Sequence, residues 1–313
     1  VNVLITGGAG FIGSTLAQAL LDQGHSVVLL DNFNDYYDPA LKRANVARLR
    51  PADRVCLVEG DLRQPADVAR AFAALPIDRV AHLAAMAGVR SATPVEVYGA
   101  VNIMGTLHML EAARQHRVAL FVMASTSSVY GETPILPFVE TDSADRPLTP
   151  YAATKRAAEL LGHTYHHLHG MQITVLRLFN VYGPYGRPDM MPMKLFNASQ
   201  TGAEVLLFND GELARDWTYV DDTVAGIVQA LHTPLGYEVI NLGLGSPIRM
   251  RAFVEIIEAL TGQRLNTRAV PTPPSDPPIT FCNNEKARRL LGFDPQVPVA
   301  EGLARTWEWF RRR

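Results

Sequence analysis

Through the first 180 positions, short apolar runs alternate with stretches of helical period. VNVLI, at the start, is β-branched and stopped by glycines, which predicts a buried strand. GSTLAQALLDQG predicts a helix ended by Gly24, and HSVVLLD the next strand. DRVCLVEGD predicts a strand ending at Asp61, ADVARAFAAL a helix, and IDRVAHLAA a strand running into a small-residue loop. NIMGTLHMLEAARQH carries an apolar stripe and predicts a helix; VALFVMAST predicts a strand. YAATKRAAELLGHTYHHLHG predicts a long helix and MQITVLRLF the strand after it. Strand and helix in strict alternation, with short connections, imply a parallel sheet covered by helices on both faces.

After NVYGP the pattern changes. Met, Pro and Gly become frequent, as in GRPDMMPMKLF, although DDTVAGIVQALHT and MRAFVEIIEALTG still predict helices. PTPPSDPPIT is too rich in proline for a regular element and reads as a substrate-side loop. The expected class is therefore α/β: a Rossmann-type, doubly wound parallel sheet over residues 1–180, carrying the chemistry, and a smaller C-terminal α/β lobe over 181–313 that binds substrate, with the chain free to cross between them.

The chain has 313 residues, enough for a substantial core, and its 48% hydrophobic content is ordinary for a folded soluble protein. A net charge of −2 gives no reason to expect nucleic acid or an anionic membrane as a partner. No apolar run approaches the ~20 residues of a membrane helix. Cys56 and Cys282 follow no metal-ligand spacing and read as reduced thiols, so no metal is expected. The chain enters its first strand without a basic, cleavable leader, and the cytoplasm is the expected location.

Candidate chemistry begins in TGGAGFIG, which puts Gly7, Gly10 and Gly13 directly after a strand and before a helix, with Phe11 and Ile12 between them. Such glycines allow a tight turn and a close approach of backbone to a pyrophosphate, which the helix N-terminus then faces. Asp31 ends the second strand 18 residues past Gly13, where a carboxylate grips an adenosine ribose and repels a 2′-phosphate; the expected cofactor is NAD. Asp61 suits an adenine contact, or the cap of a following short helix. Beyond Leu83, the small side chains of Ala84 and Ala85 leave room for the cofactor; Asn32 and Leu62 flank the two acids.

The second cluster is Tyr151 and Lys155, four apart and so on one helix face. A phenol is a poor base at neutral pH, but a nearby ammonium and an oxidised nicotinamide favour its ionised form, which makes Tyr151 a candidate base. MASTSSVYG follows a strand, so the hydroxyls of Thr126, Ser127 and Ser128 should reach the carboxyl edge of the sheet, where Thr126 or Ser128 could donate to a reacting oxygen.

Together these segments resemble the extended short-chain dehydrogenase/reductase family of nucleotide-sugar enzymes, which share TGGAGFIG, YAATK and SSVYG. DNFNDYYDPALKRANVARL, AAMAGVRSA, VYGPYGRPDM and RDWTYVDD look most like the UDP-glucuronate 4-epimerases. The resemblance implies an NAD-dependent enzyme that inverts C4 of a UDP-sugar by transient oxidation, with Tyr151 as base, Lys155 as its partner and Thr126 assisting at O4. It implies that Ser127, Ser128 and Asn180 line the sugar pocket and that Arg90, Arg187, Arg215 and Asp276 face the sugar, its carboxylate or the diphosphate. It also implies a homodimer through the helices bearing IMGTLHMLEAA and YAATKRAAELLGHTYHH. The chain departs from the uronate pattern at Asn180, where Thr is usual, at PPSD, and at Cys282 and Asn283. A UDP-glucose or UDP-N-acetylglucosamine 4-epimerase, a UDP-glucuronate decarboxylase and a non-catalytic NAD-binding protein are the alternatives.

Overall fold

A computed structural model describes residues 1–88 and 93–313. Its elements follow in chain order. The first half contains β1 (Asn2–Thr6), α1 (Phe11–Asp22), β2 (Ser26–Asp31), α2 (Pro39–Ala47), β3 (Val55–Glu59), α3 (Pro65–Ala73) and β4 (Arg79–His82). Then come α4 (Val95–Tyr98), a π-helical turn over Gly99–Gly105, α5 (Thr106–Gln115), β5 (Leu120–Thr126), a 3₁₀ turn over Ser127–Tyr130, α6 (Pro150–His169) and β6 (Ile173–Leu178). The remainder holds β7 (Asn180–Tyr182), α7 (Met191–Thr201), β8 (Val205–Phe208), β9 (Ala214–Tyr219), α8 (Val220–His232), β10 (Tyr237–Leu242) and β11 (Pro247–Arg249). It ends with α9 (Met250–Thr261), β12 (Thr267–Val270), β13 (Ile279–Thr280), α10 (Glu285–Leu291) and α11 (Val299–Phe310).

Among the described residues, seven strands form one parallel sheet in the order β10-β6-β5-β4-β1-β2-β3. β1 and β4 are neighbours although β2 and β3 lie between them in sequence, so the strand order reverses at β1. That reversal opens a crevice at the carboxyl ends of the strands, where ligands bind in folds of this kind. Val3, Ile5, Val27, Leu29, Ala81, Val122 and Leu176 belong to one buried cluster; Leu4, Val28, Leu30, Val80, Phe121 and Val175 belong to the other. The period-2 alternation of a strand thus feeds two helical layers.

The chain returns to this sheet after residue 181, because β10 pairs with β6. The remaining strands are separate and short. β9 is flanked by β11, antiparallel, and by β13, and also pairs with β7; β12 pairs with β8. PTPPSDPPIT is irregular until Ile279–Thr280 joins β9 as β13.

Asp216 fastens this smaller region internally. Fully buried, it accepts from the amides of Leu244, Gly245 and Cys282 at 3.1, 3.0 and 3.2 Å and from the Cys282 thiol at 3.4 Å. Cys282 is therefore a donor that satisfies a buried carboxylate, and burial holds its thiol far above its ordinary pKa. Both cysteines are free.

Candidate active site

The sequence-predicted site residues among the described ones all line one cavity of about 870 Å³ at the carboxyl ends of the strands. Arg90 lies outside the described residues. The cavity has a glycine end, a hydroxyl end and a basic wall.

At the glycine end, β1 runs into α1 through a turn in which Gly7 has φ +67°, and the Gly10 amide donates to the Gly7 carbonyl at 3.0 Å. A Cβ on Gly7 would lie 3.0 Å from the backbone of Ala84, and one on Gly13 would collide with the Gly7 carbonyl. The turn therefore admits only glycine and keeps α1 hard against β1. Gly10 is the N-cap of α1 and offers no side chain to its first amides. Phe11, Ile12 and Gly13 begin the helix on the cavity wall, which is the arrangement that binds an anion. Asp31, at the end of β2, accepts from the Ala9 amide at 3.1 Å and the Phe33 amide at 2.9 Å. Each oxygen keeps a second lone pair for a ligand hydroxyl. Asp61 accepts from Asn32 at 3.0 Å and from the guanidinium of Arg63, whose hydrogen bonds hold its carboxyl down at about 2. Leu62, Leu83, Ala84 and Ala85 complete this end. The glycine cradle, the free helix end and the acid at the tip of β2 fit a dinucleotide.

Below it, His82 is buried between the hydroxyls of Thr6 (2.8 Å) and Thr106 (2.9 Å). The Thr6 hydroxyl also accepts from the Ala84 amide at 3.1 Å. Asn102, in the π-helical turn, accepts from the Met86 amide at 2.8 Å and donates to the Met86 carbonyl and to Thr154, both at 3.1 Å. These buried groups hold the 84–86 loop against α6. Nothing in their spacing announces them.

At the hydroxyl end, α6 begins where the Thr149 hydroxyl caps the Ala152 amide at 3.2 Å, with Pro150 in its first turn. Tyr151 and Lys155 follow on the cavity side. Across from them, Thr126 ends β5, accepts from the Ser128 amide at 3.1 Å and donates to the Ser128 hydroxyl at 3.2 Å. Burial pushes the Tyr151 phenol above its usual pKa; a hydrogen bond with Thr126 and the charge of Arg187 pull it back. The sequence reading has the Lys155 ammonium making the phenol acidic. In the fold, desolvation of the phenol outweighs the nearby charges, and Lys155 itself is pushed down to about 8 by burial, with Glu159 resisting.

The basic wall is built from the smaller region. Arg187 lies near Tyr151 and is held by Asp189 at 2.9 and 3.1 Å, with the Tyr36 hydroxyl on the same carboxylate. Arg215, on β9, pairs with Asp276 at 3.3 Å and donates to the Ala214 carbonyl at 2.7 Å. Asn180 opens β7 beside these, and Ser127 and Ser128 face them from the 3₁₀ turn. Lys42 also reaches this cavity and went unpredicted. It is buried on α2, donates to the carbonyl and side chain of Asn34 at 2.8 and 2.7 Å, and lies over the Tyr37 ring. Its polar neighbours read as the outer face of a helix, which concealed it. Among the described residues no group of three or more His, Cys, Asp or Glu side chains could hold a metal ion, and no helix is long and apolar enough to cross a membrane.

Three similar proteins place this site among known ones. The UDP-glucuronate 4-epimerase of Thermodesulfobacterium geofontis is 42% identical over 309 residues, covering 98% of this chain and 95% of its own. The crystal structure of UDP-glucuronic acid 4-epimerase from Bacillus cereus, in complex with UDP-glucuronic acid and NAD, superposes with a TM-score of 0.93 at 34% identity, covering 100% of this chain and 99% of that one. The UDP-glucose 4-epimerase of Thermotoga maritima, with UDP-glucose, superposes with a TM-score of 0.91 at 30% identity, over 100% and 99% of the two chains. Residues 3–243, which hold the glycine turn, the Tyr151–Lys155 pair and the basic wall up to Arg215, match the model of the NAD dependent epimerase/dehydratase family, and the chain belongs to that family.

Proposed function

We propose that this protein is an NAD-dependent UDP-glucuronate 4-epimerase, interconverting UDP-glucuronate and UDP-galacturonate. The observation that carries this reading is the convergence of Tyr151, Thr126 and Lys155 on the cavity that also holds the glycine turn, in a chain similar along its whole length to uronate epimerases.

Bound NAD supplies a reversible two-electron acceptor for C4 of the sugar. Gly7, Gly10, Gly13 and the start of α1 receive its pyrophosphate, and Asp31 its adenosine ribose. Asn32, Asp61 and Leu62 bound the adenine side; Leu83, Ala84 and Ala85 leave space for the rest. Tyr151 takes the proton of the 4-hydroxyl and later returns it, with Thr126 holding the phenol in line. Lys155 adds positive charge beside the phenol and a donor for the second ribose.

Inversion requires each face of C4 to be presented in turn. The sugar must therefore rotate while the nucleotide stays fixed. Arg187 and Arg215, whose planar forks match phosphate oxygens, serve as that anchor, with Asp276 steering Arg215. The 4-keto sugar is a β-keto acid and loses carbon dioxide if its carboxylate aligns with the carbonyl. Ser127, Ser128 and Asn180 line the cavity where hydrogen bonds to that carboxylate prevent the alignment, and Arg90 is assigned to the same group from its motif.

Asn180 supports a second reading, a 4-epimerase of UDP-glucose or its N-acetylated relative, because uronate epimerases usually carry Thr there. One experiment separates them. UDP-glucuronate, UDP-glucose and UDP-N-acetylglucosamine are incubated separately with the NAD-loaded protein, and products are resolved by C4 configuration and mass. UDP-galacturonate from the first is expected; turnover of the neutral sugars alone would overturn the assignment, and a pentose product would make the protein a decarboxylase.

The working unit is taken to be a cytoplasmic homodimer. Support comes from apolar side chains exposed beside and along the two helices, Met104, Leu160 and Leu168. Sedimentation of the wild type against Leu160→Glu checks it, with a dimer expected for the first and a shift toward monomer for the second.

A further inference from the structure

A second cavity, of about 480 Å³, lies between α2, the 183–186 turn and α11. Its size falls within the range of small-molecule sites, roughly 300–1,000 Å³. Three aromatic rings form part of its wall: Tyr37, Tyr185 and Trp309, the last two with centroids 5.1 Å apart. Four lining residues are arginines, against one acidic side chain, Glu308.

The charges there are unevenly matched. Glu308 is paired with Arg312, and Arg305 with Glu301. The guanidinium carbon of Arg48 lies over the Tyr185 ring, 3.8 Å from its centroid, and its Nη2 donates to the Ser14 hydroxyl at 3.2 Å. Its Nε is buried without a hydrogen-bond partner among the described residues. A guanidinium stays charged and is costly to desolvate with a donor unmet. Tyr185, which stacks on it, has φ +64°, a conformation a bulky residue adopts only when its surroundings impose it, and one that recurs at ligand clamps. A left-handed aromatic residue and a guanidinium with one unmet donor thus meet at one point of an aromatic pocket.

We propose that this cavity is a second ligand site, distinct from the dinucleotide cleft, for a flat aromatic ring bearing a phosphate or carboxylate. The anion meets Arg48, and the ring stacks with Tyr185 and Trp309. Tyr37 lines both cavities, and Tyr185 stands two residues before Arg187, so an occupant touches two segments that also shape the first cleft.

The test is calorimetric titration of the NAD-loaded protein with phenyl phosphate, beside inorganic phosphate and benzyl alcohol. Saturable binding of phenyl phosphate is expected, about tenfold or more weaker in both Arg48→Met and Trp309→Leu and unchanged in Arg215→Ala, which alters only the first cavity. UMP and 4-hydroxybenzoate, titrated into NAD-loaded protein whose first cavity is already saturated with UDP, distinguish a nucleotide from an aromatic acid as the occupant. Three outcomes overturn the proposal: no saturable heat, equal binding to the wild type and both pocket variants, or binding that follows Arg215. Inorganic phosphate binding as tightly as phenyl phosphate overturns the aromatic class. Normal thermal unfolding of Arg48→Met and Trp309→Leu shows that any lost heat is not lost fold.

Discussion

Glu159 and Arg177 form a buried, bidentate ion pair, Nε at 3.0 Å and Nη2 at 2.8 Å, two helical turns along α6 from Tyr151. The Ser125 hydroxyl donates to the same carboxylate at 2.5 Å, and Arg156 donates from the rim at 2.8 Å. Ser125 precedes Thr126 on β5, and Arg177 is on β6. One carboxylate therefore ties the helix carrying Tyr151 and Lys155 to the strand carrying Thr126. Burial alone would raise Glu159, but Arg177, Ser125 and Arg156 more than offset it and leave the carboxyl below its ordinary pKa.

Removing one member of such a pair leaves a buried charge unmatched. Glu159→Gln is expected to lower stability by about 3–5 kcal/mol, whereas the double change Glu159→Leu with Arg177→Met recovers much of that loss. Urea unfolding of the wild type, the single and the double variant checks it. A double variant no more stable than the single one would show that packing, not charge, dominates.

Thr126→Val removes the hydrogen bond that pulls the Tyr151 phenol down, while burial remains. Turnover should fall about 10²-fold or more, and the acidic limb of the pH–rate profile, where the base must lose its proton, should move to higher pH. Thr126→Ser should restore both, and Tyr151→Phe should abolish turnover with NAD still bound. Full activity in Tyr151→Phe would exclude the phenol as base.

His82 gives the fold a pH dependence of its own. Burial, then the charge of Lys155, pushes its pKa from 6.5 to about 3, so the folded protein keeps the ring neutral while the unfolded chain protonates it near 6.5. Between those values the unfolded state binds the extra proton. This group's contribution to stability is therefore complete above pH 6.5 and is lost as pH falls toward 3, by at most about 1.4 kcal/mol per pH unit. Unfolding free energies at pH 7, 6 and 5 should fall more steeply for the wild type than for His82→Gln; parallel lines would mean that the ring is charged in the fold.

Asp31 holds the glycine turn as well as facing the cavity, through its bond from the Ala9 amide. Asp31→Ala should therefore weaken NAD by about 1.5–3 kcal/mol without producing tight NADP binding, since the turn loses its brace along with the ribose contact. Fluorescence titration with both dinucleotides decides; a clean exchange of preference would show that Asp31 acts on the ribose alone.

Much of the site was legible in the chain because its signals are local. A strand, a glycine turn and a helix are contiguous, so TGGAGFIG announces a backbone cradle suited to an anion. Four-residue spacing puts Tyr151 and Lys155 on one face before any packing is known, and alternation of apolar runs is enough for the parallel sheet. Tertiary structure alone decided what covers each face. Glu159 falls in a predicted helix and Arg177 in a predicted strand with no local sign of burial; both are buried because β6 lies inside the sheet, between β5 and β10, and α6 closes over it. Lys42 and Asn45 sit on α2 among polar residues, and nothing in the chain marks either as buried; Asn45 donates to the Ala9 carbonyl at 3.1 Å, and both are buried. The seventh strand comes from beyond residue 181, through a pairing of β10 with β6 that no local pattern encodes. Desolvation likewise exists only in the folded chain, which is why the spacing of Tyr151 and Lys155 could suggest a lowered phenol pKa while burial sets the balance the other way.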